Sequence, residues 1–257
     1  MNNLALITGA SGGIGLALAT VHAQHGDDLL LVARSSDKLR ELKNELEKKY
    51  HVKVHCLALD LALPNAGLDL FNIVSQSDLT VNYLINNAGF GDVGFLVEND
   101  WDKELQMINL NVITLTQLTK LFAQDMIKRG GGKIMNVAST AAFQSGPKMA
   151  IYFATKAYVL SFSEAVNNEL CAQGVTVTAL CPGPTQSGFN KVAGFNGGAL
   201  KNSKIPTSQQ VAEYGYNAMM AGKTVAIHGV MNTIMANVVR FIPRALAVKI
   251  TRYFIEK

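Results

Sequence analysis

Seven short apolar runs, separated by stretches with helical character, constrain the fold of this chain more than any other feature. The runs are LALIT (4–8), LLLVA (29–33), VKVHCLAL (52–59), VNYLIN (81–86), KIMNVA (133–138), VTVTALC (175–181) and TVAIH (224–228). Most are apolar at both odd and even positions, which is typical of parallel strands covered on both faces. The alternation predicts an α/β fold, a doubly wound seven-stranded parallel sheet with right-handed crossovers.

The segments between these runs support a Rossmann-like, single-domain arrangement. Residues 35–50 read SSDKLRELKNELEKKY, with leucines at 39, 42 and 46 on one helical face. A longer helical stretch begins at Asp102 and ends at three glycines, 130–132. The chain has 257 residues, 49% of them hydrophobic, and no linker or internal repeat. We therefore expect one domain spanning residues 1–257.

The turn after the first strand reads TGASGGIG (8–15) and leads into a helical stretch. Glycines here permit a tight turn and let backbone amides approach a pyrophosphate at the helix N-terminus. After the first strand of an alternating chain, this pattern favours a dinucleotide-binding turn over the alternative, a plain strand–helix turn.

Arg34 follows the second strand, at the position where side chains usually distinguish NAD from NADP. A carboxylate at this point would hydrogen-bond the adenosine ribose and favour NAD, whereas a guanidinium suits a 2′-phosphate. The first acid, Asp37, is expected inside the next helix. The sequence therefore favours NADP over NAD, the alternative being an exposed arginine at a helix start.

Polar residues also follow the later strands, at the edge of the sheet where ligands bind. They are Asp60, N-N-A-G (86–89), Ser139 and P-G-P-T (182–185). Asn109 and Asn111 lie within the long helical stretch, where asparagine is unfavourable because its amide competes for backbone hydrogen bonds. Either a local kink that exposes a carbonyl or a surface position explains them.

The segment YFATK (152–156) places Tyr152 and Lys156 four residues apart in apolar surroundings. On a helix this spacing puts both side chains on one face. An isolated pair of this kind is usually structural, with the lysine reaching water and the tyrosine packed.

Together these motifs resemble those of the short-chain dehydrogenase/reductase family in its short, single-domain, NADP-preferring form. The matching motifs are T-G-x-x-x-G-x-G at 8–15, N-N-A-G at 86–89, Asn111, Ser139, Tyr152 with Lys156, and P-G at 182–183. They occur in order and cover residues 4–185 approximately. The resemblance implies hydride transfer between NADP(H) and a carbonyl or secondary alcohol.

The resemblance also implies roles for individual residues. Tyr152 would be the general acid and base, Lys156 would lower its pKa and hold the nicotinamide ribose, and Ser139 would bind the substrate carbonyl. Asn111 would hold a water that relays protons to Lys156. The residues implied for cofactor binding are Gly9, Ser11, Gly13, Ile14, Arg34, Asp60, Asn87, Ala88, Gly89, Tyr152, Lys156, Pro182, Gly183 and Thr185.

Two segments beyond these motifs leave alternatives open. Residues 186–208 mix glycines with apolar residues and suit a lid over the substrate. Their charges are lysines, which fit either an anionic substrate such as an acyl thioester or an ordinary solvated loop. Residues 240–257 form a basic amphipathic segment after Pro243, with Leu246, Ile250 and Phe254 on one face. This segment could pack within the protein, cover a neighbouring subunit or lie on an anionic membrane.

Composition narrows the class of partner. The last eighteen residues carry five basic residues and one acidic residue, a surplus equal to the net charge of +4, so the rest of the chain is balanced. This footprint is too narrow for nucleic acid. The histidines show no metal-ligand spacing, so no metal is expected. Three unpaired cysteines and the lack of a visible signal peptide or membrane span predict a cytoplasmic protein with reduced thiols.

Two further expectations concern assembly and the competing function. The helix that carries YFATK is apolar nearly all round, so a second subunit could cover it, and the family resemblance implies a homodimer or homotetramer. The alternative to an enzyme is an NADP-binding regulator with little turnover. Such regulators typically lose the tyrosine or the lysine, and this chain keeps both.

Overall fold

A computed structural model, which describes residues 2–189, 193–194 and 205–256, places the seven predicted strands in one parallel sheet. The spatial order is β3-β2-β1-β4-β5-β6-β7. The strands are β1 (Leu4–Thr8), β2 (Asp28–Ala33), β3 (Val54–Ala58), β4 (Val81–Asn86), β5 (Gly132–Val137), β6 (Val175–Cys181) and β7 (Val225–Ile227). The predicted strand runs are confirmed to within two residues at their ends.

Helices cover both faces of this sheet. In chain order they are α1 (Gly13–Gln24), α2 (Ser36–Tyr50), α3 (Ala66–Ser75), α4 (Trp101–Ile108), α5 (Leu115–Lys128), α6 (Ala150–Leu170), α7 (Ser208–Met220), α8 (Val230–Val238) and α9 (Arg244–Glu256). A π-helical segment, Asn109–Thr114, joins α4 to α5. Of the two explanations left open for Asn109 and Asn111, the structure favours a local distortion of the helix, since Asn111 is buried in the π-helical segment. Helix α9 begins directly after Pro243 as expected.

The doubly wound prediction is confirmed by how β1 is buried. Ala5 and Ile7 pack into the core shared with α1 and α7, whereas Leu4 and Leu6 pack into the core shared with α3 and α5. All four side chains are buried. A strand covered on both faces needs apolar residues at both parities, and this explains the continuous apolar runs in the sequence.

The order of the strands determines where a ligand can bind. From β1 the chain builds the sheet outward through β2 and β3, then returns to β4 on the other side of β1. The connections after β1 and β4 diverge at this point, which leaves a crevice beyond their carboxyl ends. The glycine-rich turn and the N-N-A-G motif both lie there.

Parts of the chain fall outside this description. The predicted lid, 186–208, includes residues 190–192 and 195–204, which lie outside the described residues together with its three lysines. Among the helices that are described, none is long and apolar enough to cross a membrane.

Candidate active site

A single cavity of about 1190 Å³ opens at the carboxyl ends of the strands. Of the predicted site residues, all of which the structure describes, only Asn111 lies behind its wall. The others line the cavity: Gly9, Ser11, Gly13, Ile14, Arg34, Asp60, Asn87, Ala88, Gly89, Ser139, Tyr152, Lys156, Pro182, Gly183 and Thr185. Residues far apart in sequence are thus brought to one site.

The glycine-rich turn forms a cradle that side chains would fill. Gly9 has φ of 66°, and a Cβ placed on it would stand 2.9 Å from the Ala88 Cα. A Cβ on Gly15 would collide with the Gly9 carbonyl oxygen and the Asn87 amide. Only glycine therefore lets the turn, the start of α1 and the β4 loop approach this closely. The resulting backbone surface at a helix N-terminus fits the pyrophosphate of a dinucleotide.

Thr8 and Asn87 fix this turn to the end of β4. The Thr8 hydroxyl accepts hydrogen bonds from the backbone amides of Asn87 and Ala88, both at 3.0 Å. The Asn87 side chain donates to the Thr8 carbonyl oxygen at 2.9 Å. Thr8 was not predicted as a site residue, although it is the first letter of the motif, because its role depends on the neighbouring strand.

Two cations line the cavity close to the end of β2. Arg34 and Lys38 both line the wall and are exposed, and Ser35 stands between them. Asp60 also lines the cavity, and its Oδ1 accepts from the Ala62 amide at 3.0 Å. The arrangement offers positive charge for an anionic group beyond the ribose. Lys38 was not predicted as a site residue, because it lies one helical turn beyond the end of β2.

The Tyr152 side chain is buried within the site. Burial raises its pKa to about 12, against which a hydrogen bond with Ser139 acts. The Lys156 Nζ stands 5.9 Å from the centre of the Tyr152 ring. Loss of solvation thus determines the phenol pKa of the protein without cofactor, and the expectation that Lys156 and an oxidised nicotinamide together lower this pKa stays a prediction.

Lys156 is also buried, and burial disfavours its charged form. Burial lowers its pKa to about 8. Its Nζ donates one hydrogen bond to the Val137 carbonyl oxygen at 2.8 Å. An ammonium has three donors, so two remain for groups within the cavity.

Asn111 acts from behind the wall by holding the loop after β4. Its side chain donates to the Phe90 carbonyl oxygen at 3.0 Å and to the Thr155 hydroxyl at 3.1 Å, and its Oδ1 accepts from the Phe90 amide at 3.3 Å. Thr155 in turn donates to the Tyr152 carbonyl oxygen at 2.7 Å. The π-helical segment thus tethers the loop to the catalytic helix. The water-holding role of Asn111 stays a prediction.

A buried polar ladder fixes α6 to the centre of the sheet. Asn86 on β4 donates to Asn136 on β5 at 2.9 Å, and Asn136 donates to Ser163 on α6 at 3.0 Å. Ser163 completes the ladder by donating to the Val159 carbonyl oxygen at 2.7 Å. Since buried polar groups are costly when unpaired, this ladder defines one position of α6 along the sheet.

The two C-terminal helices supply the remaining wall, which the sequence motifs did not locate. Asn232 on α8 packs against Gly183, so closely that a Cβ on that glycine would stand 2.5 Å from its amide. Most of the other side chains here are apolar. From α8 and α9 they are Met231, Met235, Ala236, Val238, Ala247, Ile250, Phe254 and Ile255.

Comparison with known proteins agrees with this geometry. The family model described as short chain dehydrogenase matches residues 3–194, which include every predicted site residue. The chain belongs to the short-chain dehydrogenase/reductase family.

Curated relatives in the family include 3-oxoacyl-CoA reductases. The chain is 32% identical over 184 residues to the very-long-chain 3-oxoacyl-CoA reductases of Rattus norvegicus and Homo sapiens. These alignments cover 69% of this chain and 58% of each relative. The chain thus spans under two thirds of the length of these relatives.

Solved structures in the family match nearly the whole chain. A short-chain dehydrogenase from Sphingobium yanoikuyae in complex with NADPH is 29% identical with a TM-score of 0.82, covering 95% of this chain and 97% of that one. A bulky-bulky ketone specific alcohol dehydrogenase from Comamonas testosteroni is 27% identical with a TM-score of 0.79, covering 93% and 92%. Both agree with the seven-stranded architecture described above.

Proposed function

We propose that this enzyme is an NADP-dependent carbonyl reductase or alcohol dehydrogenase that uses Tyr152, Lys156, Ser139 and Asn111. The observation that carries the proposal is that Tyr152, Lys156 and Ser139 line the same cavity as the glycine cradle. NADPH bound in that cradle would supply the hydride, while the protein supplies orientation and protons.

Each side chain has a task that its surroundings support. The Ser139 hydroxyl donates a hydrogen bond to the substrate carbonyl oxygen, and the Tyr152 hydroxyl gives that oxygen its proton. With a pKa near 12 in the cofactor-free protein, the phenol is fully protonated at neutral pH, as an acid must be. The Lys156 ammonium then stabilises the phenolate that remains.

The preference for NADP rests on charge at the adenosine end. Arg34 and Lys38 both line the cavity after β2, and Asp60 lines it after the neighbouring strand β3. A 2′-phosphate would place its negative charge between the two cations, whereas the ribose hydroxyl of NAD gains little from them. The NADPH complex of the Sphingobium yanoikuyae relative is consistent with this choice.

The substrate we infer is a large, mainly apolar ketone. The wall facing Tyr152 includes Met149, Phe153 and Phe189, and it continues along the apolar side chains of α8 and α9. The relatives named for very-long-chain 3-oxoacyl-CoA and for bulky ketones fit such a wall. A 3-oxoacyl thioester is the first substrate to test.

The test is NADPH consumption with 3-oxoacyl thioesters of increasing chain length, bulky ketones and small ketones, with NADH in parallel. We expect turnover with the long or bulky substrates, and Tyr152→Phe should reduce kcat by about 10²–10⁴-fold without loss of NADPH binding. Tyr158→Phe is the matched control, because Tyr158 lies on the same helix but is exposed and bonded to Thr116. Equal losses in both variants would refute the assigned role of Tyr152.

The alternative function, an NADP-binding regulator, makes the opposite prediction. Such a protein would bind NADPH and show no Tyr152-dependent turnover on any substrate of this panel. The intact set of Tyr152, Lys156 and Ser139 in one cavity favours the enzyme.

For assembly, we propose a homodimer or homotetramer formed across α6. Ala154 and Tyr158 are exposed on this largely apolar helix, and the Tyr158 ring stacks on Phe162 with centres 5.6 Å apart. Sedimentation equilibrium on the native protein and on Ala154→Glu would test it, and a monomeric native protein would refute it. The cytoplasmic location stays a prediction.

A further inference from the structure

The helix pair α8 and α9 carries a concentration of exposed apolar side chains. Along α8 and the turn after it, Val230, Ile234, Val238 and Phe241 recur about one helical turn apart and form one stripe. Val230 is 79% exposed and Phe241 is 88% exposed. Scattered apolar residues on a surface need no explanation, but a continuous stripe marks an interaction site.

Helix α9 adds a second row beside the same opening. Its buried residues are Ala247 and Thr251, whereas Leu246, Ile250 and Phe254 are exposed at intervals of four. Packing within the chain therefore buries small side chains of α9 fully and Val248 and Ile255 in part. The large apolar face that the sequence predicted stays at the surface.

Basic residues border both rows. Arg240, Arg244 and Lys249 are exposed, and within the described part of the chain no carboxylate lies within 4 Å of any of them. Glu256, the one acidic residue between 229 and 256, is already paired with Lys148 at 3.3 Å and with Arg252 at 3.0 Å. The surface is thus apolar with a cationic border.

We propose that α8 and α9 dock this protein onto a lipid bilayer containing anionic headgroups. An apolar face with bordering cations is the composition of helices that lie in the interface of a membrane. A second copy of the chain fits less well. A symmetric pairing through this face would bring two surfaces together that both carry the exposed cations Arg240, Arg244 and Lys249.

The position of the opening gives this docking a consequence for substrate entry. Met231, Met235, Ile250 and Phe254 are exposed at the surface and also line the cavity. A bilayer in contact with α8 and α9 therefore meets the mouth of the site. This part of the inference rests on the proposed function, because it requires an apolar substrate that partitions into lipid.

The experiment is co-sedimentation of the full chain with phosphatidylcholine vesicles that contain or lack phosphatidylserine. We expect binding to the anionic vesicles only. Removing three cations in Arg240→Ser/Arg244→Ser/Lys249→Ser should weaken binding about a hundredfold, from about fivefold for each charge. The variant Val230→Ser/Ile234→Ser/Phe241→Ser, which removes three side chains of the stripe, should abolish detectable binding. None of the six residues replaced in the two variants lines the cavity.

Matched controls distinguish binding through this surface from nonspecific binding of the protein to vesicles. Lys48→Ser/Lys128→Ser/Lys223→Ser removes three exposed lysines elsewhere, and Leu63→Ser/Leu68→Ser/Ile73→Ser removes exposed apolar residues around α3. Both controls should bind vesicles like the native protein. NADPH binding, measured by fluorescence, establishes that each variant is folded.

The outcomes distinguish this proposal from the proposed function. No sedimentation with anionic vesicles, or equal losses in test and control variants, would overturn the docking surface whatever the enzyme reduces. Loss of a concentration-dependent dimer in the stripe variant, without vesicle binding by the native protein, would assign the face to a second copy instead. Vesicle binding without any turnover would refute the proposed function and leave the docking surface standing.

Discussion

Replacing Lys156 with methionine is expected to stabilise the cofactor-free protein while abolishing its activity. Burial lowers the pKa of Lys156 from 10.5 to about 8, and that difference corresponds to about 3 kcal/mol against folding when the lysine is charged. Methionine removes this cost but also removes the hydrogen bond to the Val137 carbonyl oxygen, worth about 1–2 kcal/mol. The net gain at pH 7 is about 1–2 kcal/mol, or an increase in Tm of about 2–8 °C.

The pH dependence makes this prediction sharper. Below pH 8 the lysine is charged in both the folded and the unfolded protein, so the full cost is present. Between pH 8 and 10.5 the unfolded protein holds the proton more tightly, so the native protein gains stability relative to the variant as pH rises. The stability difference between variant and native protein should therefore fall by about 2.5 kcal/mol between pH 7 and pH 10.

The assay is urea unfolding of cofactor-free protein, followed by circular dichroism at intervals from pH 7 to 10. The other buried groups, Tyr152 and Cys181, interfere little in this range, because burial raises their pKa values to about 12 and both stay protonated in the folded protein. Lys128→Met, at an exposed position on α5, is the control and should show no pH-dependent difference. A Lys156→Met difference that stays constant from pH 7 to 10 would refute the argument that burial destabilises the charged lysine.

Three further predictions concern separate parts of the molecule. Replacing Arg34 and Lys38 with serine should raise KM for NADPH about 10–100-fold and leave KM for NADH nearly unchanged, and unequal cofactor effects measured by steady-state kinetics are the check. Gly89→Ala should lower kcat, because the new Cβ would stand 2.9 Å from the Asn111 Oδ1 and displace it, and a variant with native kcat would contradict this contact. Phe122→Ala should cost about 3–5 kcal/mol in urea unfolding without changing KM, because the side chain is fully buried and is not part of the cavity lining.

The sequence was sufficient to predict the fold and the motif residues that line the cavity, because both depend on local patterns. A strand buried on two faces must be apolar at both parities, as β1 shows with Leu4 and Ala5. A turn that has no room for side chains is indicated in the sequence by its glycines, and Gly9 does adopt a positive φ. The helical spacing of Tyr152 and Lys156 is likewise a local property.

The contacts that the sequence did not predict depend on partners distant along the chain. Thr8 binds amides of residues near position 87, and Thr155 binds the side chain of Asn111. A threonine gives no pattern that reveals such a partner. The raised pKa of the Tyr152 phenol in the cofactor-free protein was not predicted, because the depth of burial cannot be read from the sequence.

The C-terminal helices illustrate a similar limit. The spacing of Leu246, Ile250 and Phe254 predicted an apolar face on α9 correctly. It did not reveal that α8 and α9 close the cavity, because amphipathic periodicity identifies a face and not what lies opposite it.

The polar ladder from Asn86 through Asn136 to Ser163 has a consequence for how such an enzyme can diverge. An apolar substitution at Asn136 removes one buried hydrogen bond from Asn86 and one from Ser163, so substitutions at this layer are penalised on both sides of the strand. Helices α8 and α9 shape the substrate wall without belonging to this ladder. Descendants of the chain can therefore acquire new substrates through their C-terminal helices and inherit the position of Tyr152 unchanged.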